Sequence, residues 1–214
     1  MLHNYRALAL VIVLALTAGL QASVVSYPLS IEFSGATPPA GAAPWLTAIF
    51  DDGGSPGSVD LTLTATNLVG SEFVNLWLFN LDPALNPTLL VFSAPSKSGS
   101  FTSPTISRSV DAFKADGDGW FDIKFDFASG GGDAARFGPG EDVSYTITGI
   151  GSLTAGSFDF LSKPGGGHGP FPTAAHVQGI GEDNANSGWI TVPEPTSLAL
   201  LGVGAIASLR RRRR

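Results

Sequence analysis

Cysteine is absent from the sequence. That excludes a disulfide framework, a thiolate metal site and a cysteine nucleophile, so the fold must be held by its core alone. Histidine is nearly absent: besides His3 there are only His168, in a glycine loop, and His176, in a candidate strand, and two histidines so far apart with no helix between them make a poor zinc pair. Basic residues are scarce between the ends. Of the 12 Lys and Arg, Arg6 and Arg210 to Arg214 lie in terminal segments, leaving 6; of the 18 Asp and Glu only Glu194 does, leaving 17. The central part is near −11, which disfavours nucleic acid and anionic lipid and attracts cations. Helical apolar periodicity is also almost missing from the middle of the chain, which makes all-β the natural reading.

The two ends read as addresses rather than fold. Residues 1–22 place His3 and Arg6 before the apolar run Ala7 to Leu16 and end on the small residues Ala18, Gly19 and Ala22, the order of a signal peptide cut after Ala22. The apolar run is shorter than the roughly 18 residues a spanning helix requires, which argues against a retained anchor.

Residues 23–191 have the size of one domain with a proper core. Val59-Asp60-Leu61-Thr62-Leu63-Thr64 alternates apolar and polar, as a strand with one face on a core requires. Phe121, Ile123, Phe125 and Phe127 alternate with Asp122, Lys124 and Asp126, and Val143, Tyr145 and Ile147 repeat the pattern. Further strands are expected at 29–33, 45–50, 73–79, 89–93, 157–161, 176–180 and 189–192. Phe73 to Phe79 is apolar on both faces and is placed centrally in a sheet. Turns are expected at Asp51 to Gly54, Asp82-Pro83, Asn86-Pro87, Gly130 to Asp133 and Gly165 to Gly167. The expected fold is all-β, a single antiparallel sandwich of jelly-roll type, flanked by an N-terminal signal helix and a C-terminal hydrophobic helix.

The tail, residues 192–214, carries the sharpest pattern. Val192-Pro193-Glu194-Pro195 is followed by an uncharged stretch from Thr196 to Leu209 and then by Arg210, Arg211, Arg212, Arg213 and Arg214. A cationic end of this kind favours the cytoplasmic side of a membrane, leaving the domain on the other side. About fourteen residues make roughly 21 Å of helix against a hydrocarbon core of about 30 Å, a weak permanent anchor. The three parts in this order resemble the PEP-CTERM sorting signal of exported proteins in Gram-negative bacteria that make exopolysaccharide. The resemblance implies that an exosortase, a membrane protease, recognises Pro193, Glu194 and Pro195, and that the arginines are the cytoplasmic stop. It implies secretion across the inner membrane, anchoring there through the tail helix before processing, and a cell-surface or biofilm-matrix location afterwards. The segments Asp116 to Phe127, Ala135 to Gly138 and Ser157 to Leu161 are similar to segments of uncharacterised proteins with such tails, which supply no activity.

Chemistry in the middle of the chain is sparse. Asp116, Asp118 and Asp122 put three carboxylates around a glycine turn, an oxygen-rich set of the kind calcium selects. Lys114 stands where an EF-hand-like loop would be acidic and no bidentate glutamate follows, so a plain turn is the competing reading. Gly53-Gly54-Ser55-Pro56-Gly57 has the letters of a nucleophile elbow, but Pro56 and the strand that follows argue for a loop. Trp120, beside the aspartate turn, is the candidate for stacking on a sugar ring, whereas Trp77 is expected in the core. The expectation is a non-enzymatic structural or glycan-contacting module, with exopolysaccharide as its partner. A secreted polysaccharide hydrolase is the alternative, to be recognised by convergent carboxylates in a groove, and a calcium-stabilised structural unit is the third.

Overall fold

The computed structural model describes residues 21–193. Twelve strands follow one another: β1 (Val24–Leu29), β2 (Ile31–Glu32), β3 (Leu46–Asp51), β4 (Val59–Thr64), β5 (Phe73–Phe79), β6 (Val91–Phe92), β7 (Ser96–Ser98), β8 (Thr105–Ala115), β9 (Asp118–Asp126), β10 (Asp142–Thr148), β11 (Thr173–Ile180) and β12 (Asn186–Thr191). They form two antiparallel sheets. One runs β1-β3-β4-β10-β6 with β7 also on β10; the other runs β2-β12-β11-β5-β9-β8.

Alternation in the sequence becomes a two-sided sheet. Val59, Leu61 and Leu63 of β4 and Val143, Tyr145 and Ile147 of β10 turn into the space between the sheets, where Trp77 and Phe79 of β5 and Ile123 and Phe125 of β9 meet them. Rings cross the interface: Phe50 lies 5.3 Å from Phe79 edge-on, and Phe125 lies 5.6 Å from Tyr145. β5 sits between β11 and β9, the central place its two-sided apolarity requires. Its opposite face belongs to a second cluster, in which Leu78, Ala115, Phe121 and Ala174 are covered by Phe33, Phe113 and Phe171.

Five segments differ from expectation. The first strand begins earlier, at Val24, and the chain changes sheets after Leu29: β1 pairs with β3 in one sheet, while β2 pairs with β12 in the other. Residues 157–161 are not a strand. Thr154 and Ser157 cap one another's backbone and start a 3-10 turn over Ala155–Phe158, which seats Phe158 flat against Phe50 at 4.3 Å. Over 89–93 another 3-10 turn, Pro87–Leu89, precedes the short β6, because Asn86 accepts the Thr88 N–H and Pro87 suits a first helical position. β7 and the eleven-residue β8 were not expected at all. The signal helix and the C-terminal hydrophobic helix both fall outside the described residues, among which no helix is long and apolar enough to cross a membrane.

Candidate functional site

β8 and β9 form a hairpin that turns at Asp116 and Gly117, both with positive φ, 49° and 81°. From this hairpin come the residues that the sequence singled out. The structure sends them to different partners. Asp118, only 5% exposed, accepts a hydrogen bond from Nδ1 of His168 at 2.8 Å. Burial works against its ionisation, but the hydrogen bonds from His168 and the Gly167 N–H, with the His168 charge, hold the carboxyl below its usual range. Asp122 is also a bracket: its two oxygens accept the N–H groups of Leu81 and Asp111, each at 2.9 Å. Burial pushes its carboxyl up and the neighbouring Asp111 charge adds to this, against the pull of the two backbone bonds. Asp116 marks the turn itself. Among the described residues no group of three or more His, Asp or Glu side chains could hold a metal ion, so Asp116, Asp118 and Asp122 do not form the calcium cluster their spacing allowed.

Trp120 and Asp122 are brought together, on a groove of about 370 Å³ beyond the end of β5. Past the reach of β5, Trp120 pairs instead with Lys163, exchanging backbone hydrogen bonds of 2.8 and 3.1 Å. The Lys114 ammonium lies 4.2 Å from the centre of the indole and donates to the Gly165 carbonyl at 3.0 Å. Gly165 rests against the indole so closely that a Cβ there would collide with Nε1. Trp120 is therefore a half-buried wall, supported from behind, rather than a free platform.

Asp111, Lys163 and Asn80, three further groove residues, were invisible in the sequence. Asp111, at φ 48° in an irregularity of β8, joins Lys163 in an ion pair of 3.1 Å. Asn80 donates from Nδ2 to the carbonyls of Phe160, Phe171 and Pro172, while its Oδ1 is buried with no hydrogen-bond partner among the described residues. Val110 and Leu161 are exposed, at 60% and 58%, and give the groove an apolar rim. Carboxylate, ammonium, indole and aliphatic surface thus meet in one concavity, the mixture that contacts a polar ligand with apolar faces.

The other sequence candidates are structural. Ser55 lies in a turn organised by Asp52, whose carboxylate accepts the N–H groups of Ser23, Gly54 and Ala155. His176 stacks on Trp189 at 4.8 Å, and burial lowers its pKa. A wider groove of about 520 Å³ at the opposite end of β5 is lined by Arg136, which lies 4.3 Å from the Phe73 ring, and by Asp133 and Asn184. Pro193 is exposed just beyond β12; Glu194, Pro195 and Arg210 to Arg214 lie outside the described residues.

Comparison with known proteins identifies the tail. Residues 191–214 match the PEP-CTERM protein-sorting motif. No curated protein and no solved structure matches the chain.

Proposed function

We propose that this PEP-CTERM protein, exported and sorted through its tail by an exosortase, is a non-enzymatic surface or matrix component whose sandwich contacts extracellular polysaccharide at the Trp120 groove. The observation that carries the reading is that the groove's charged groups are already engaged. Both Asp122 oxygens hold backbone N–H groups and Asp111 holds Lys163, so the site is built to keep its shape rather than to move protons. A sugar ring suits such a surface because it offers hydroxyls to the carboxylates and C–H faces to indole, proline and leucine. The test is retention of the full chain on exopolysaccharide from the producing cells. Trp120→Ala is expected to lower retention about tenfold, the loss of one stacking contact; equal retention would remove the groove from the reading.

A polysaccharide hydrolase is the second reading, favoured by one observation: Asp111 and Asp122 face the same groove, and the Asp122 carboxyl is raised by burial as a general acid requires. Release of reducing ends from the same polysaccharide, abolished by Asp122→Asn, would support it over the first. Absence of release would leave the binding module.

A further inference from the structure

We infer that the domain carries a second saccharide site, in the groove of about 520 Å³ beside the start of β5, where uncharged sugar units are held through their hydroxyls. The volume is within the range of small-molecule sites. Gln178 of β11 lies opposite Phe73 of β5 on one side and Ser187 of β12 on the other, a row across three neighbouring strands. Asn184, in the turn between β11 and β12, and Asn186, at the start of β12, bring two more amides to the lining. That the polymer is a polysaccharide rests on the function proposed above; that it is gripped here rests on this groove alone.

A bulge turns Gln178 outward. Val177 and Ile180 are both buried in the core between the sheets, an odd spacing that regular strand alternation forbids. β11 takes up the extra residue at Gly179, where its register with β12 shifts. Gly179 has φ 74° and lies so close to the Ser71 carbonyl that a Cβ there would collide with it, so only glycine fits, and Gln178 is left on the face away from the core. Access follows from the same arrangement: Asn184 and Asn186 are exposed and Gln178 and Ser187 half-buried, so a ligand in the groove reaches their polar groups from solvent.

Charge fixes the ligand as neutral. Arg136 is the one cation of the lining, and it is engaged: its guanidinium lies 4.3 Å from the centre of the Phe73 ring, Nε donates to the Ser129 carbonyl at 2.9 Å, and Nη1 pairs with Asp133 at 3.6 Å. Glu182 and Asp183, exposed in the same turn as Asn184, add to the repulsion an acidic domain exerts on anions. Phe73 is covered by Arg136 and only 5% exposed, so its ring offers no open face to an apolar ligand. What remains is amide and hydroxyl, with donors and acceptors side by side, the complement of the hydroxyls around a sugar ring.

Retention on exopolysaccharide from the producing cells is measured for the full chain in lipid nanodiscs, as wild type, Trp120→Ala, Gln178→Ala/Asn186→Ala and the combination of all three. Gln178→Ala/Asn186→Ala should lower retention about tenfold, the worth of one or two hydrogen bonds. The loss should be the same at low and high salt, because no charge is removed, and the melting temperature should stay within about 2 °C of wild type. Asn186→Ala alone, at an exposed position, should lose about threefold and guards against a loss that comes only from unfolding. The Trp120 groove lies at the other end of β5, about 20 Å away over seven residues, so the losses should multiply to about a hundredfold in the combination. Retention that neither Asn186→Ala nor Gln178→Ala/Asn186→Ala changes overturns the inference, whatever Trp120→Ala does. So does a loss that high salt erases, which would mark a charged ligand. A loss in Gln178→Ala/Asn186→Ala with Trp120→Ala unchanged would keep this site and remove the Trp120 groove.

Discussion

Asp118 and Asp122 lie four residues apart on β9 and respond to acid in opposite directions. The folded carboxyl of Asp118 sits below its ordinary range, so the stability it contributes is whole above about pH 3.9, the unfolded value, and is lost as pH falls through the lower folded value. Asp52, held down chiefly by the Ser23 and Gly54 N–H groups, behaves in the same way. For Asp122 the sign reverses: its raised carboxyl favours the proton in the folded state, a contribution present below about pH 3.9 and lost as pH rises through the folded value. Calorimetry of Asp118→Asn between pH 3 and 7 should therefore show a deficit against wild type that is full at pH 7 and shrinks toward pH 3. A constant deficit would mean that the His168 contact does not depend on the charge of Asp118. Trp77 sets the other residue-scale expectation. It is fully buried and donates Nε1–H to Thr173, which itself donates to the Leu78 carbonyl, so Trp77→Ala should cost about 3–5 kcal/mol in denaturant unfolding.

At the scale of elements, the β8–β9 hairpin ties the groove together, and two glycines, one in its turn and one packed against it, separate backbone strain from packing. Gly117 has φ 81° with open space where a Cβ would go, so Gly117→Ala should cost about 1 kcal/mol and leave polysaccharide retention unchanged. Gly165→Ala drives a Cβ into the Trp120 indole, and should lower retention even where the melting temperature is preserved. The strands around this hairpin were legible to different degrees. β4, β9 and β10 alternate cleanly and bury what the pattern says they bury; β5 is apolar on both faces and is central. β8 alternates too, but Asp111 breaks its register with a left-handed residue, and an edge strand with one partner shows few fully buried side chains. Phe158 and Phe160 mimic strand alternation, yet the Thr154 and Ser157 caps win locally and make a turn. The groove was half legible. Trp120 and Asp122 are neighbours on one strand, whereas Asn80, Asp111 and Lys163 reach it from three places in the chain, and no local pattern announces such a meeting.

On the scale of the whole molecule, one core joins both sheets, so neither sheet buries its inner face alone. Heat should unfold the described domain in a single transition, with tryptophan fluorescence and far-ultraviolet circular dichroism giving the same midpoint; two midpoints would mean that the sheets separate. The tail adds a processing expectation. Protein recovered from the cell surface should have a mass lacking the Arg210 to Arg214 end, while full-length material confined to the inner membrane would contradict surface delivery.

The sorting tail leaves the body from a stitched position. β12 is paired along its length with β11 and at its end with β2, and Val192 still packs on the core, so only a residue or so separates folded structure from the Pro193 motif. Tension applied at that end along the axis of β12 would load its backbone bonds in shear, all together, instead of unzipping them one after another. A polymer network linked through that end would find in this domain a bead that resists drag until an entire strand gives way.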